Sequence, residues 1–337
     1  MSSAAPQHTA ATSPRAAKPL VEVSNLVKHF PVRGGVLNRV VGRVHAVNGV
    51  TFSIAKGETL GVVGESGCGK STLGKVLIRL LEPTAGHLRF DGQDITSISH
   101  GQMMAFRKRM QIIFQDPYSS LNPRMTVRTI LREAIRFHDV VPASETNAYI
   151  DELIQTVGLR PDAAAKFPHE FSGGQRQRIG IARALSVKPE FVIADEPVSA
   201  LDVSIQAQVL NLMMGLKDKF GLTMMFISHD LKVVEHFCDR VLVMYLGNVV
   251  EETPCQNLHK RVQHPYSKAL LGANPIDDPS DRRPLTVLQG DVPSPFNPPK
   301  GCPFAGRCPL VMEKCRHEMP PLEQKADGQR VACWAVE

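Results

Sequence analysis

The residues whose types and spacing most clearly support chemistry form a glycine-rich loop at positions 64–71. The stretch reads Gly-Glu-Ser-Gly-Cys-Gly-Lys-Ser, which fits the phosphate-binding pattern G-x-x-x-x-G-K-S. Its glycines allow backbone N–H groups to turn inward around phosphate oxygens. Lys70 can reach the β- and γ-phosphates, and the Ser71 hydroxyl can ligate Mg²⁺. The loop predicts nucleoside triphosphate binding, with a ligand-free turn as the alternative.

A second candidate group is a pair of carboxylates after an apolar run. Phe191-Val192-Ile193-Ala194 precedes Asp195-Glu196-Pro197, which predicts a buried strand that ends in two acidic side chains. Asp195 suits a metal bound through water, and Glu196 could polarise an attacking water molecule. An acidic turn at a strand end is the alternative.

Three further polar positions stand at the ends of predicted elements. Gln115 follows the strand Met110–Phe114, and His229 follows a buried strand that ends at Ser228. Either side chain could reach a phosphate, a metal or water, or simply cap its strand. Ser172, before two glycines and a helix, is a predicted N-cap and a second anion-binding helix start.

These groups require a layered framework to bring them together. The apolar run Thr59–Val63 precedes the glycine loop, and apolar residues at helical spacing follow it. The local order is therefore strand, loop, helix. The predicted fold class is α/β, with strands that meet at one edge of a sheet. Two consecutive helices, Met125–Phe137 and Glu145–Val157, interrupt the strand–helix alternation and predict an inserted helical subdomain at about 116–175. Residues 34–43 are predicted to form an insertion loop.

The composition is that of an ordinary globular chain. Of 337 residues, 43% are hydrophobic and 21% charged, with a net charge of +6 and no run of apolar residues long enough to cross a membrane. The basic residues are dispersed, which argues against nucleic acid as a partner. Residues 1–18 are rich in Ala, Ser, Thr and Pro and lack an apolar signal core, so a disordered tail is predicted.

Together these motifs resemble the ATP-binding cassette (ABC) ATPases, a family built on the P-loop NTPase core. The resemblance rests on the occurrence of six elements in a fixed order over about two-thirds of the chain. They are the loop 64–71, Gln115, Ser172-Gly173-Gly174-Gln175, Asp195-Glu196, Ser199-Ala200-Leu201-Asp202 and His229.

The resemblance implies that two cassettes pair head to tail, with ATP held between the phosphate loop of one and the serine–glycine signature of the other. Residues implied to bind this chain's own nucleotide are Phe30, Gly64, Ser66, Gly67, Gly69, Lys70, Ser71 and Thr72. Those implied to reach the partner's side are Ser172, Gly174, Gln175 and Asp202.

It also implies the catalytic roles. Glu196 would be the general base, His229 the γ-phosphate switch and Gln115 a Mg²⁺ sensor that couples to a membrane subunit. Residues implied to serve Mg²⁺ are Ser71, Gln115 and Asp195.

A narrower resemblance is to the dipeptide and oligopeptide importers. It is carried by Phe114–Pro123, His264–Leu271 and Pro293–Pro299, and the ending Val331–Val336 is most similar to the second ATPase subunits of dipeptide importers. It implies peripheral association with the cytoplasmic face of a bacterial inner membrane. The implied partners are a second cassette in a heterodimer, two permease subunits and a periplasmic peptide-binding protein. Related importers of nickel or glutathione are the alternative.

Four of the seven cysteines lie near the C-terminus with the spacing C-x5-C-x6-C-x17-C, at Cys302, Cys308, Cys315 and Cys333. This spacing differs from zinc ribbons, which favour C-x2-C pairs, but four thiolates can hold either Zn²⁺ or an iron–sulfur cluster. The family resemblance implies a [4Fe–4S] cluster. Unliganded core cysteines are the alternative.

The predicted organisation is a tail at 1–18, an ATPase domain at 19–255 and a cysteine-containing C-terminal appendage at 256–337. Two other classes are less well supported. Soluble cassette proteins that act on DNA or ribosomes carry long coiled coils or two fused cassettes, and neither occurs here. A regulatory subunit without turnover does not fit the intact Glu196 and His229.

Overall fold

The structure is a computed structural model that describes residues 18–35, 38–116, 118–256, 258–272, 290–325 and 328–336. The predicted N-terminal tail lies outside the described residues except for Lys18. In the part of the chain that is described, no helix is both long enough and apolar enough to cross a membrane.

The strands form two sheets. The strands are β1 (Pro19–Gly34), β2 (Arg39–Ala55), β3 (Thr59–Val63), β4 (Ala85–Phe90), β5 (Gln93–Asp94), β6 (Met110–Ile113), β7 (Phe191–Asp195), β8 (Thr223–Ser228), β9 (Arg240–Tyr245), β10 (Asn248–Pro254), β11 (Glu323–Gln324) and β12 (Arg330–Val331). The smaller, antiparallel sheet has the order β2-β1-β4-β5, and the larger one has the order β11-β12-β10-β9-β3-β8-β7-β6.

Helices cover the sheets and form the subdomain. They are α1 (Lys70–Leu77), α2 (His100–Arg109), α3 (Val127–Phe137), α4 (Thr146–Thr156), α5 (Gly173–Leu185), α6 (Val203–Phe220), α7 (Leu231–Phe237), α8 (Leu258–Arg261), α9 (Pro265–Gly272) and α10 (Glu313–His317). Short 3₁₀ helices occupy Pro161–Ala165 and Pro168–Glu170.

The centre of the larger sheet is parallel and fully buried. β3 pairs in parallel with β8 and β9, and β7 pairs in parallel with β6 and β8. Every residue of β3, β7 and β8 is buried, as expected for parallel strands covered on both faces. Because parallel strands end at a common edge, the residues that follow β3, β6, β7 and β8 are brought together there.

The prediction of an insertion loop at residues 34–43 is wrong. β1 and β2 continue as an antiparallel pair out to Gly34 and Arg39, and residues 39–43 belong to β2. Basic, apolar and glycine residues alternate there, so the sequence pattern does not indicate a strand. The strand is largely exposed, and Val40 and Val41 are more than half exposed. A half-solvated hairpin lacks the apolar face on which strand prediction depends.

The inserted helical subdomain is present and is held by its own apolar face. Thr126 caps α3, as its side chain accepts a hydrogen bond from the N–H of Thr129. α3 packs with α4 and α5 through buried aliphatic side chains. These include Ile130, Leu131, Ile135, Ile150, Leu153 and Ile154. The amphipathic period that predicted two helices therefore corresponds to a real core.

The C-terminal region adds strands to the main sheet. β12 pairs antiparallel with β10, with Glu251 opposite Val331, and β11 pairs with β12. Cys302, Phe304 and Cys315 are buried in the same apolar cluster as the central strands. The domain limits at 19–255 and 256–337 stay a prediction, but the two regions share a sheet and a core.

His264 makes the stability of this C-terminal region dependent on pH. Its Nδ1 accepts a hydrogen bond from the Tyr266 N–H at 3.1 Å, so the buried ring is neutral. Burial lowers the pKa of His264 to about 4 from 6.5. Below pH 6.5 the His264 side chain binds a proton in the unfolded chain but not in the folded chain. The free energy of unfolding therefore falls as pH drops toward 4. The loss totals about 3 kcal/mol.

We expect His264→Asn to remove this dependence, because the Asn Oδ1 keeps the acceptor and cannot be protonated. Urea unfolding at pH 7.5, 6 and 4.5 measures it. Neighbouring Glu251, whose pKa burial raises, titrates in both proteins and cancels in the difference between the two curves. Parallel curves for the variant and the natural chain would contradict the assignment.

Candidate functional site

The glycine loop lies between the end of β3 and the start of α1, as the sequence predicts. Gly69 precedes α1 with φ of 108°, and a Cβ there would lie 2.1 Å from the carbonyl oxygen of Ala46. At Gly64, with φ of 154°, a Cβ would lie 2.2 Å from the Met244 carbonyl oxygen. Both positions therefore exclude side chains, which keeps the loop close to its neighbours.

Lys70 is almost fully buried, and its ammonium group faces the interior of the loop. Its Nζ donates to the Gly64 carbonyl at 2.7 Å and to the Glu65 carbonyl at 3.1 Å. The same Nζ lies 3.9 Å from Oε1 of Glu196. A cation held in this way by neutral carbonyls can transfer its hydrogen bonds to phosphate oxygens.

Ser71 and Asp195 form the oxygen pair predicted to serve Mg²⁺. The Ser71 hydroxyl donates to Oδ1 of Asp195 at 2.7 Å. Asp195 is buried at the end of β7, and burial raises the pKa of its carboxyl group while the Ser71 hydrogen bond opposes the rise. A hydroxyl and a carboxylate beside a phosphate loop fit the hard oxygen ligands that Mg²⁺ prefers.

Glu196 lies at the centre of the polar groups at the sheet edge. Its Oε2 accepts from Nε2 of Gln115 at 3.1 Å and lies 3.5 Å from Nδ1 of His229. Its backbone has φ of 44°, a left-handed conformation that is strained for a non-glycine residue, and its N–H donates to the Ile227 carbonyl. The residues after β6, β7 and β8 therefore meet at one carboxylate, as the parallel sheet predicts.

These residues border an open cavity of about 500 Å³. Phosphate-loop, sheet-edge and β1–β2 residues all contribute to it. The lining residues are Phe30, Val44, Ala46, Ser66, Gly67, Gly69, Lys70, Ser71, Thr72, Gln115, Glu196, His229 and Pro295. Among these, the aromatic ring of Phe30 suits contact with a base, and the ammonium group of Lys70 suits a phosphate chain.

The signature residues lie elsewhere. Ser172, Gly174, Gln175 and Asp202 are absent from the lining of this cavity in the described residues. Ser172 and Gln175 form a reciprocal cap at the start of α5, where the Ser172 hydroxyl accepts from the Gln175 N–H. A Cβ on Gly174 would lie 2.4 Å from Cγ2 of Ile205, so the starts of α5 and α6 are in contact. The chain thus presents the signature away from its own phosphate loop.

Sequence reasoning missed the contribution of the C-terminal region to this site. Arg307 pairs with both carboxylate oxygens of Glu65 within the loop, at 2.8 and 3.0 Å. The hydroxyl of Tyr266 accepts from the Glu65 N–H at 2.8 Å, and Pro295 lines the cavity. These residues are distant in sequence from the loop, and no local pattern connects them.

The four C-terminal cysteines lie near enough to one another for their thiols to interact electrostatically. Burial raises the pKa of Cys302 to about 11, and the other three thiols add to the rise. Within the residues that are described, no group of three or more His, Cys, Asp or Glu side chains is arranged to hold a metal ion. Neither the [4Fe–4S] cluster nor the zinc alternative is supported.

The fold and the site together define a P-loop nucleoside triphosphatase with an inserted helical subdomain. Comparisons with known proteins agree. Residues 47–199 match the ABC transporter family, and residues 250–315 match the C-terminal region of oligopeptide/dipeptide transporters. The oligopeptide transport ATP-binding protein AppF of Bacillus subtilis is 52% identical over 317 residues, which cover 93% of this chain and 96% of AppF.

Two solved structures share the fold. The protein cbiO1 of Clostridium perfringens, part of the ABC transporter complex cbiONQ, has a TM-score of 0.62 at 26% identity, over 72% of this chain and 91% of cbiO1. The cassette MJ0796, a dimer bound to ADP and Pi, also has a TM-score of 0.62 at 26% identity, over 70% of this chain and 99% of MJ0796. This chain belongs to the ABC transporter ATP-binding family and carries the oligopeptide/dipeptide transporter C-terminal region. It is an ABC ATPase.

Proposed function

We propose that this chain binds ATP with Mg²⁺ and hydrolyses it to drive the import of dipeptides or oligopeptides through a separate membrane channel. The observation that carries the proposal is the joining of a complete phosphate-loop site to a C-terminal region of the oligopeptide/dipeptide type. The relative AppF, similar over nearly its whole length, is an oligopeptide transport protein by name. Peptide is therefore the proposed cargo.

In the proposed reaction the phosphate loop binds the triphosphate through its N–H groups and Lys70. Ser71 and Asp195 would hold Mg²⁺, which supplies charge neutralisation at the phosphates. Glu196 would orient and deprotonate the attacking water for in-line displacement at the γ-phosphate. Gln115 and His229 fix the Glu196 carboxylate through contacts to its Oε2 and lie where a γ-phosphate would end.

Phe30, Val44 and Ala46 would form the apolar wall for the base, since they are the residues of β1 and β2 that line the cavity. The contact between Phe30 and the base remains a prediction from the sequence. In β1 its partner is Val44 of β2, so the hairpin that replaces the expected loop holds the ring in place.

Ser172, Gly174, Gln175 and Asp202 are proposed to act on the nucleotide of a second cassette. The location of these residues supports this role. They lie outside this chain's own cavity, on an exposed surface where the starts of α5 and α6 meet. Val203, beside Asp202, is 81% exposed, which suits a surface covered in an assembly. The structure of MJ0796 is likewise dimeric.

The proposed assembly comprises a second cassette, two permease subunits and an extracytoplasmic peptide-binding protein, with this chain at the cytoplasmic face of the inner membrane. No nucleic acid is involved. Measurement of iron, acid-labile sulfide and zinc after anaerobic purification tests the sequence prediction of a metal at the four C-terminal cysteines.

Affinity purification of the tagged full chain from its own membranes tests the function. We expect two polytopic membrane proteins and a second cassette to co-purify, and ATP hydrolysis by the reconstituted complex to rise when binding protein and short peptides are added. The matched control is the complex with Lys70→Ala, which should assemble without peptide-stimulated hydrolysis. Co-purification of ribosomes or DNA in place of membrane proteins would contradict the proposal.

A further inference from the structure

The C-terminal region contacts Glu65 of the phosphate loop from two directions. The guanidinium of Arg307 donates to Oε1 and Oε2 of Glu65 at 3.0 and 2.8 Å, a bidentate arrangement. The N–H of Glu65 donates to the hydroxyl of Tyr266 at 2.8 Å. Both the side chain and the backbone of this loop residue are therefore held by residues more than 200 positions away.

The contact to Arg307 is shielded from water. The side chain of Arg307 is 7% exposed and that of Glu65 is 26% exposed. Arg307 also donates to the Tyr245 hydroxyl at 3.3 Å. The hydrogen bond to Glu65 raises the pKa of Arg307, so the guanidinium stays charged. A bidentate, partly buried pair of this kind fixes direction as well as distance.

Tyr266 is fixed by an aromatic cluster, defined here as Tyr245, Tyr266 and Phe304. All three side chains are fully buried. Their ring centroids lie 4.7 to 5.4 Å apart in edge-on or tilted arrangements. Because Tyr245 belongs to β9 and the other two to the C-terminal region, the cluster ties the Tyr266 hydroxyl to the sheet beneath the loop.

Glu65 also contacts Lys70, the residue proposed to bind phosphate. Its carbonyl oxygen accepts from Nζ of Lys70 at 3.1 Å and from the N–H of Cys68 at 3.3 Å. A rotation of the Glu65 peptide would therefore move an acceptor of Lys70. It would also change the direction of the loop N–H groups that must face phosphate.

A separate contact joins the C-terminal region to β2. The His45 N–H on β2 donates to the Pro295 carbonyl at 2.9 Å, and Pro295 itself lines the cavity. The C-terminal region thus contacts the nucleotide site at β2 as well as at the phosphate loop.

We propose that Arg307 and Tyr266 are positioning residues for nucleotide binding: they hold Glu65 so that the phosphate loop is pre-formed for a triphosphate. The proposal rests on the proposed ATP site and deepens it. In this chain the C-terminal region is part of the nucleotide site, and loss of the Arg307 or Tyr266 contact weakens nucleotide affinity although neither residue lines the nucleotide cavity.

The test is equilibrium binding of the fluorescent analogue mant-ATP, with Mg²⁺, to the full chain. We expect Arg307→Gln to raise the Kd about tenfold and Tyr266→Phe to raise it about threefold, with Arg307→Lys in between. In the reconstituted complex, KM for ATP should rise more than kcat falls, since the water-activating groups are untouched.

The matched control is Arg330→Gln. Arg330 also belongs to the C-terminal region and pairs with a buried carboxylate, Glu252, at 2.9 Å, but it does not contact the loop. It should lower thermal stability as Arg307→Gln does and leave the Kd within twofold. Equal Kd changes in the two variants would mean general destabilisation and would overturn the proposal.

A double-mutant cycle with Glu65→Gln completes the test. If Arg307 acts through Glu65, the double variant binds mant-ATP no more weakly than Arg307→Gln alone. Fully additive losses would overturn the proposal. Failure of the natural chain itself to bind mant-ATP would instead refute the ATP site, which keeps the two failures distinct.

Discussion

Lys70→Ala is expected to raise the Kd for ATP by at least about 100-fold, because each charge-assisted hydrogen bond to a phosphate contributes roughly tenfold or more. Lys70 is the cation at the centre of the loop, and its Nζ already lies within 3.1 Å of two carbonyl oxygens. Alanine removes the Lys70 donor from both carbonyls and leaves the triphosphate without its counter-charge. Mant-ATP titration of the full chain measures the effect.

The matched control for this change is Lys56→Ala. Lys56 is a largely exposed lysine whose nearest charged partner is Glu190, at 4.0 Å, away from the cavity. It should bind nucleotide as the natural chain does. Unchanged affinity in Lys70→Ala would refute the assignment of the phosphate loop.

Glu196→Gln is expected to lower the rate of hydrolysis by about 10² to 10³-fold, the range of a lost general base, while ATP still binds. Glutamine has the same shape and leaves Lys70 and Ser71 in place. It cannot accept a proton from water. An ATP-bound dimer should therefore accumulate, and size-exclusion chromatography with light scattering in the presence of ATP and Mg²⁺ would detect it.

Glu82→Gln serves as the comparison, since Glu82 is 84% exposed and pairs only loosely with Arg79. It should hydrolyse ATP normally and show no ATP-dependent dimer beyond that of the natural chain. Normal turnover by Glu196→Gln would remove the base role and leave Glu196 as an anchor for Gln115 and His229.

The polar edge of the sheet was predictable because its chemistry is local. A phosphate loop needs glycine at positions without room for a Cβ, and buried parallel strands need apolar runs, so Thr59–Val63 and Phe191–Asp195 stand out in the sequence. Once the strands are parallel, Gln115, Glu196 and His229 must meet. The chain order alone therefore indicated much of the candidate site.

What escaped prediction has two physical causes. α2 and the outer part of the β1–β2 hairpin are mostly solvated, so they carry no apolar period; only Met103 of α2 is fully buried. The pair Glu65–Arg307 joins residues 242 positions apart, and neither residue type is unusual where it stands. Such contacts depend on how the C-terminal region folds back, which no local pattern encodes.

The pairing of β12 with β10 also bears on how the molecule is made. On the ribosome, β10 emerges long before β12, and until β12 arrives the nascent chain exposes a sheet edge with free N–H and C=O groups. Such an edge invites pairing with other chains. A message truncated before Arg330 would therefore yield a product whose β10 edge stays unpaired and is prone to aggregation.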